Sequence, residues 1–202
     1  MFDRFPDNVL VSPQSPPKGL VQRLVGLGRE PNSEAWVEAA HLCLANAAWP
    51  HLAAMIHAGF NPAACHTTGT GDLRVTETLL HRCVRIHTYD ELDQRIERLV
   101  ALGADPRRYN AQGLSVLGLL CTLSRDMPTH RVLQALGALR KAGVTVSDPC
   151  GDGSAWARRL IGNVSAAELL ANRHPETLPW VRQQMLEAQL SSTTAPHRSF
   201  RL

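Results

Sequence analysis

Apolar and polar positions separate most cleanly between Leu92 and Val100. There Leu92, Ile96, Leu99 and Val100 share one side of a helical spiral, and Asp93, Gln94, Arg95, Glu97 and Arg98 take the other. Read with its breakers and caps, the chain is predicted to form helix pairs over 34–46 with 49–58, 76–87 with 90–102, 115–124 with 129–142, and 154–161 with 165–172. A last helix is expected over 178–190. Within the fourth pair, Ser165 and Glu168 have the capping-box spacing, a hydroxyl with a carboxylate three residues on.

One helix ending recurs. Leu24-Val25-Gly26-Leu27-Gly28-Arg29-Glu30-Pro31 returns as Met55-Ile56-His57-Ala58-Gly59-Phe60-Asn61-Pro62 and as Leu99-Val100-Ala101-Leu102-Gly103-Ala104-Asp105-Pro106. Leu139-Arg140-Lys141-Ala142-Gly143-Val144-Thr145-Val146 is a looser fourth copy. The glycine suits a left-handed residue closing a helix, and the proline after it in three copies keeps the helix from resuming. Helix starts recur too, at Thr78, Ser115 and Ser154, whose short side-chain oxygens can cap first-turn N–H groups. These starts are 37 and 39 residues apart, and the glycine stops 31, 44 and 40 apart.

Thr78-Leu79-Leu80-His81-Arg82-Cys83 and Asn110 to Leu120, read with the Gly-Ala-Asp-Pro stop, make the region from about 20 to 160 resemble the ankyrin repeat. His81 takes the family's histidine position and Cys83 its small-residue position. Leu79 and Val116 stand where proline is usual, and Gly118 where histidine is. The family unit is about 33 residues, so units here carry insertions. The run Thr67-Thr68-Gly69-Thr70-Gly71-Asp72 is expected to be the exposed loop that supplies the longest. The resemblance implies an all-α, ankyrin-like helical-repeat solenoid of about four helix pairs with a C-terminal capping helix. It would span 20–190, between a Pro/Ser-rich flexible leader (1–19) and a flexible tail (191–202).

Composition narrows the class. The 202 residues are 44% hydrophobic and 19% charged, which excludes wholesale disorder, and no apolar run is long enough for a membrane span. A net charge of +3 is too even a balance for phosphate attraction to dominate binding, which disfavours nucleic acid as partner. All but two of the 21 basic residues are arginine, a bias of high-GC bacterial genomes. The N-terminus lacks the basic and apolar regions of a signal peptide, so a cytoplasmic location is expected, with signal-peptide-independent secretion as the other route. Cys43, Cys65, Cys83, Cys121 and Cys150 are widely spaced and odd in number, so reduced thiols are expected.

Candidate chemistry is sparse. Nine histidines include no HExxH and no CxxC companion, so neither metal nor cofactor is expected. Gly69-Thr70-Gly71 and Gly151-Asp152-Gly153 read as turns, since neither ends in the lysine and hydroxyl of a phosphate loop. His81 and Cys83 should pack in the core, whereas Cys65-His66 falls in a turn as the more exposed pair. Trp36, Trp49, Trp156 and Trp180 are expected to pack between units.

Arg107-Arg108-Tyr109 follows a stop and precedes the next unit, and in an ankyrin protein such a protruding turn makes contact. His66 and Thr67 hold the equivalent place in the preceding turn, and Thr145, Ser147 and Asp148 in the following one. The expected function is a non-catalytic module binding a partner protein through its concave face and turn tips, as a monomer or weak oligomer. A secreted effector and an antitoxin or immunity-like inhibitor both fit. The alternative is a cysteine-dependent hydrolase or transferase using an exposed thiol such as Cys65.

Overall fold

The computed structural model describes residues 16–68, 75–86, 91–162 and 164–193. Most of the leader, the Gly69–Asp72 tip of the expected loop, His87 and the tail from 194 lie outside them. The protein is mostly helical, with a small antiparallel hairpin.

Helix α1 (Pro17–Gly26) opens on a proline, inside the stretch read as leader. It packs on α3. Three helical hairpins follow: α2 (Glu34–Ala45) with α3 (Trp49–His57), α4 (Leu79–Arg85) with α5 (Leu92–Ala101), and α6 (Val116–Leu123) with α7 (Thr129–Lys141). α4 lies against α6 and α5 against α7. α8 (Ala155–Ile161), α9 (Ala166–Arg173) and α10 (Leu178–Thr193) complete the chain.

The recurring glycine does the same work four times. Gly28, Gly59, Gly103 and Gly143 all have positive φ, and each is followed by an N–H that reaches back five residues, to Leu24, Met55, Leu99 and Leu139. Each glycine N–H bonds the carbonyl three residues before it, which completes a Schellman closure. Three starts are equally regular: Thr78, Ser115 and Ser154 accept from the N–H of His81, Gly118 and Ala157. Ser165 and Glu168 form the reciprocal capping box.

The β1–β2 segment and the fourth helix pair differ from expectation. Thr67 and Thr68 are not loop but lie in strand β1 (His66–Thr68), paired with β2 (Val75–Glu77) in the register His66 to Glu77, Thr67 to Thr76 and Thr68 to Val75. β1 lies beside α2. The fourth pair also departs: α9 packs on α6 rather than closely on α8. Its last turn explains this, because Arg173 Nη1 donates to the carbonyls of Cys121 and Thr122 at 2.5 and 2.6 Å, and His174 Nε2 donates to Ser124. The end of α6 is thus capped by α9 rather than left to water.

One core runs the length of the helices, through Leu20, Trp36, Leu52, Leu80, Ile96, Leu117, Leu136 and Leu170. Trp36 is fully buried and Trp49 and Trp180 are half-buried, but Trp156 is 59% exposed, contrary to its expected packing between units. Its ring lies on the open side of the short helix α8, with Arg159 beside it.

Candidate functional site

The turns between hairpins form a connected edge rather than a line of separate tips. Ala111 N–H donates to Thr76, Asp152 N–H to Gly113 and Ser115 N–H to Cys150, each bond joining one hairpin's start to the next. His81 adds a side-chain tie: its Nδ1 is 2.8 Å from Thr78 Oγ1 and its Nε2 2.9 Å from the Leu114 carbonyl. A carbonyl only accepts, so Nε2 carries the proton and Nδ1 accepts from the threonine hydroxyl. Burial holds this imidazole neutral, its pKa pushed down to about 4.

The turn residues singled out from sequence fall into three kinds. Arg108 and Ser147 are exposed, and Tyr109, Thr145 and Asp148 half-buried. Arg107 is exposed but engaged: its Nη2 donates to the Gly143 carbonyl and stands 3.2 Å from Asp148 Oδ2, which also accepts from Thr145 N–H. It fastens its own turn to the next. His66 is a correction to the expected exposed Cys65-His66 pair. It is buried, stacked on Phe60 at 5.0 Å between centroids, with Nε2 donating to Asn61 O. Pairing in β1 drew it inward.

Cys65 is half-buried, and its Sγ–H donates to the Tyr109 carbonyl at 3.2 Å. Burial pushes its thiol up, with Arg108 opposing. A nucleophilic thiolate needs the reverse balance. Among the described residues no three His, Cys, Asp or Glu side chains gather where they could hold a metal ion, and no helix is long and apolar enough to cross a membrane.

A groove of about 460 Å³ opens where α2, β1 and α4 meet, lined by Glu34, Glu38, His41, Leu42, Thr67 and Arg82 among others. Helical spacing places Glu34, Glu38, Leu42 and Ala45 along one exposed side of α2. Leu42 is 40% exposed. Beneath the groove the fully buried Glu77 anchors β2 to α4: Arg85 Nε donates to Oε2 at 2.8 Å and Arg82 Nη1 lies 3.8 Å from Oε1. Removing either arginine would weaken the pairing of the buried Glu77 carboxylate, while the arginines keep 33% and 29% of their side-chain surface exposed. His41 is pushed down to about 4 by burial, then by the Arg82 guanidinium and His66, which keeps it neutral at pH 7.

Of the partner-binding residues picked from sequence, only Thr67 lines this groove. Glu34, Glu38, His41, Leu42 and Arg82 were not among the residues that sequence reasoning picked for binding. The signal available was a mixed stripe of acidic and apolar residues at helical spacing on α2, which by itself reads as a solvated face. No family model, curated protein or solved structure matches the chain, so what the site can do is read from its residues alone.

Proposed function

We propose that this protein is a non-catalytic binding module of ankyrin-like build that holds a partner protein along the α2–β1–α4 groove and the adjoining turn tips. The groove carries the reading. It offers apolar surface at Leu42 and Ala45, two carboxylates on an exposed helix face, and a wall at Arg82, which together with Arg85 holds the buried Glu77. Such a surface, apolar within and polar at the rim, suits recognition of another chain. Four like helix closures and a hydrogen-bonded edge support a stack of hairpins that presents the groove and the turn tips on one molecule.

The test is a photo-crosslinking residue in place of Leu42, used in the native host, followed by identification of the attached protein. A Glu38→Arg, Leu42→Glu variant should then bind that protein at least about tenfold more weakly, while helical content and Tm stay near wild type. At the turns, Arg108→Ala with Ser147→Ala is the matching variant, because Arg107 is needed to join two turns. Unchanged affinity in both variants would remove the groove and the tips as the site. Translocation into host cells would distinguish an effector, and neutralisation of a bacterial toxin an immunity-like inhibitor. The rival cysteine enzyme predicts unusually fast alkylation of Cys65 at neutral pH.

A further inference from the structure

The Cys150 carbonyl sits on the first turn of α6. It accepts from Ser115 N–H at 2.9 Å and lies 3.2 Å from Ser115 Oγ. A Cβ added to Gly118 would stand only 2.0 Å from it. Cys121 follows Gly118 by three positions and so lies one turn further along the same side of α6. The Cys150 Cα would stand 3.1 Å from that same added Cβ, so the two cysteines are neighbours across this crossing, and each is the first influence on the other's ionisation. Cys150, 5% exposed, also lines an open hollow of about 340 Å³ between the 147–153 turn and α8, the side from which a small oxidant would approach it.

We propose that Cys121 and Cys150 form a reversible oxidation site, which a hydroperoxide converts to a disulfide joining α6 to the turn that precedes α8. The roles follow from the surroundings. Cys121 is fully buried, whereas Cys150 lines the hollow, and the neighbouring Cys121 thiol holds the Cys150 thiol below its ordinary value. Cys150 is therefore the sulfur that attacks first. Cys43 and Cys83 are fully buried and pushed up to about 12, and the Cys65 S–H is committed to Tyr109.

With hydrogen peroxide, the Cys150 thiolate attacks one oxygen and the O–O bond breaks. Cys150 becomes a sulfenic acid, and the departing hydroxide takes the proton the thiol shed and leaves as water. The Cys121 sulfur then attacks the sulfenic sulfur. The S–S bond forms, the S–O bond breaks, and that hydroxide leaves as a second water with the Cys121 proton. Two thiols are oxidised and one peroxide is reduced to two waters.

The experiment treats the reduced full chain with a few equivalents of hydrogen peroxide at neutral pH, alkylates remaining thiols, and maps the digest by mass spectrometry. The expected result is a Cys121–Cys150 cross-linked peptide that dithiothreitol removes, with Cys43 and Cys83 still alkylated on denaturation. Tm should rise by about 5 °C on oxidation. In Cys121→Ser, dimedone should trap the Cys150 sulfenic acid, and in Cys150→Ser, Cys121 should stay unoxidised. Oxidation that goes first to Cys65, a Cys150 sulfinic acid without cross-link, or a cross-link formed only in urea would overturn the proposal. The wild-type map gives this answer even if a serine variant folds poorly.

Discussion

At the scale of single residues, glycine shows how one residue type serves opposite ends. Gly118 and Gly137 both sit inside helices, on α6 and α7. Gly118 is where the backbone of the next turn crosses, and a methyl group would collide with the Cys150 carbonyl, whereas at Gly137 a Cβ meets nothing within 4 Å. Gly118→Ala should therefore destabilise by about 2 kcal/mol or more, since backbone must shift. Gly137→Ala should stabilise by about 0.5–1 kcal/mol through helix propensity and a less flexible unfolded chain. Urea midpoints for the two variants moving in the same direction would refute this. The closing glycines and capping hydroxyls were legible beforehand because their requirements are local. The crossing at Gly118 was not, because it depends on a residue 32 positions away.

At the scale of elements, His81 joins the start of α4 to the strand-like bridge at Leu114, and its neutrality makes the link pH-dependent. The folded pKa of His81 is about 4 against 6.5 for the free side chain, and His41 behaves alike. The unfolded chain therefore binds more protons between these values. Stability from the neutral imidazoles is fully present above pH 6.5 and is lost as pH falls towards 4. His81→Gln should cost roughly 1–3 kcal/mol at pH 7, where its partners lose bonds. It should also flatten the fall of stability between pH 6.5 and 4.5, by up to about 1.4 kcal/mol per pH unit. Parallel pH profiles for variant and wild type would count against His81 as a titrating link. Helix positions were readable in sequence where a helix starts on a capping hydroxyl, as α4, α6, α8 and α9 do, or ends on a glycine stop, as α3, α5 and α7 do. The β1–β2 hairpin was not, since three-residue strands are too short for alternation to show, and His66 and Thr67 were misplaced with it.

At the scale of the whole molecule, the joint between the first two hairpins is flanked by two hollows. The groove between α2, β1 and α4 opens on one side of it, and a shallow apolar hollow of about 410 Å³ between α3 and α5 on the other, lined by Trp49, Ala53, Arg98 and Leu102. Across that joint the ties include Arg95, whose Nη1 donates to the Leu44 carbonyl, and Arg98, whose guanidinium lies 5.3 Å from the Trp49 ring centroid. Further along, α4 meets α6 and α5 meets α7 directly. In a row of units, stability sums over neighbouring interfaces, so the joint flanked by hollows is where the row should part first. Amide hydrogen exchange should show α2 and α3 exchanging faster than α4 to α7 in low urea, while all protect alike only if the row opens as one. Leu99→Ala, a fully buried residue of α5, should cost roughly 2–5 kcal/mol and lower protection through α5 and α7. If α2 and α3 instead exchange at the rate of α4 to α7 at every urea concentration, the two hollows do not mark a weak joint. A binding groove at a joint that opens first would let a partner rigidify it, and added partner should then slow exchange in α2 before any other helix.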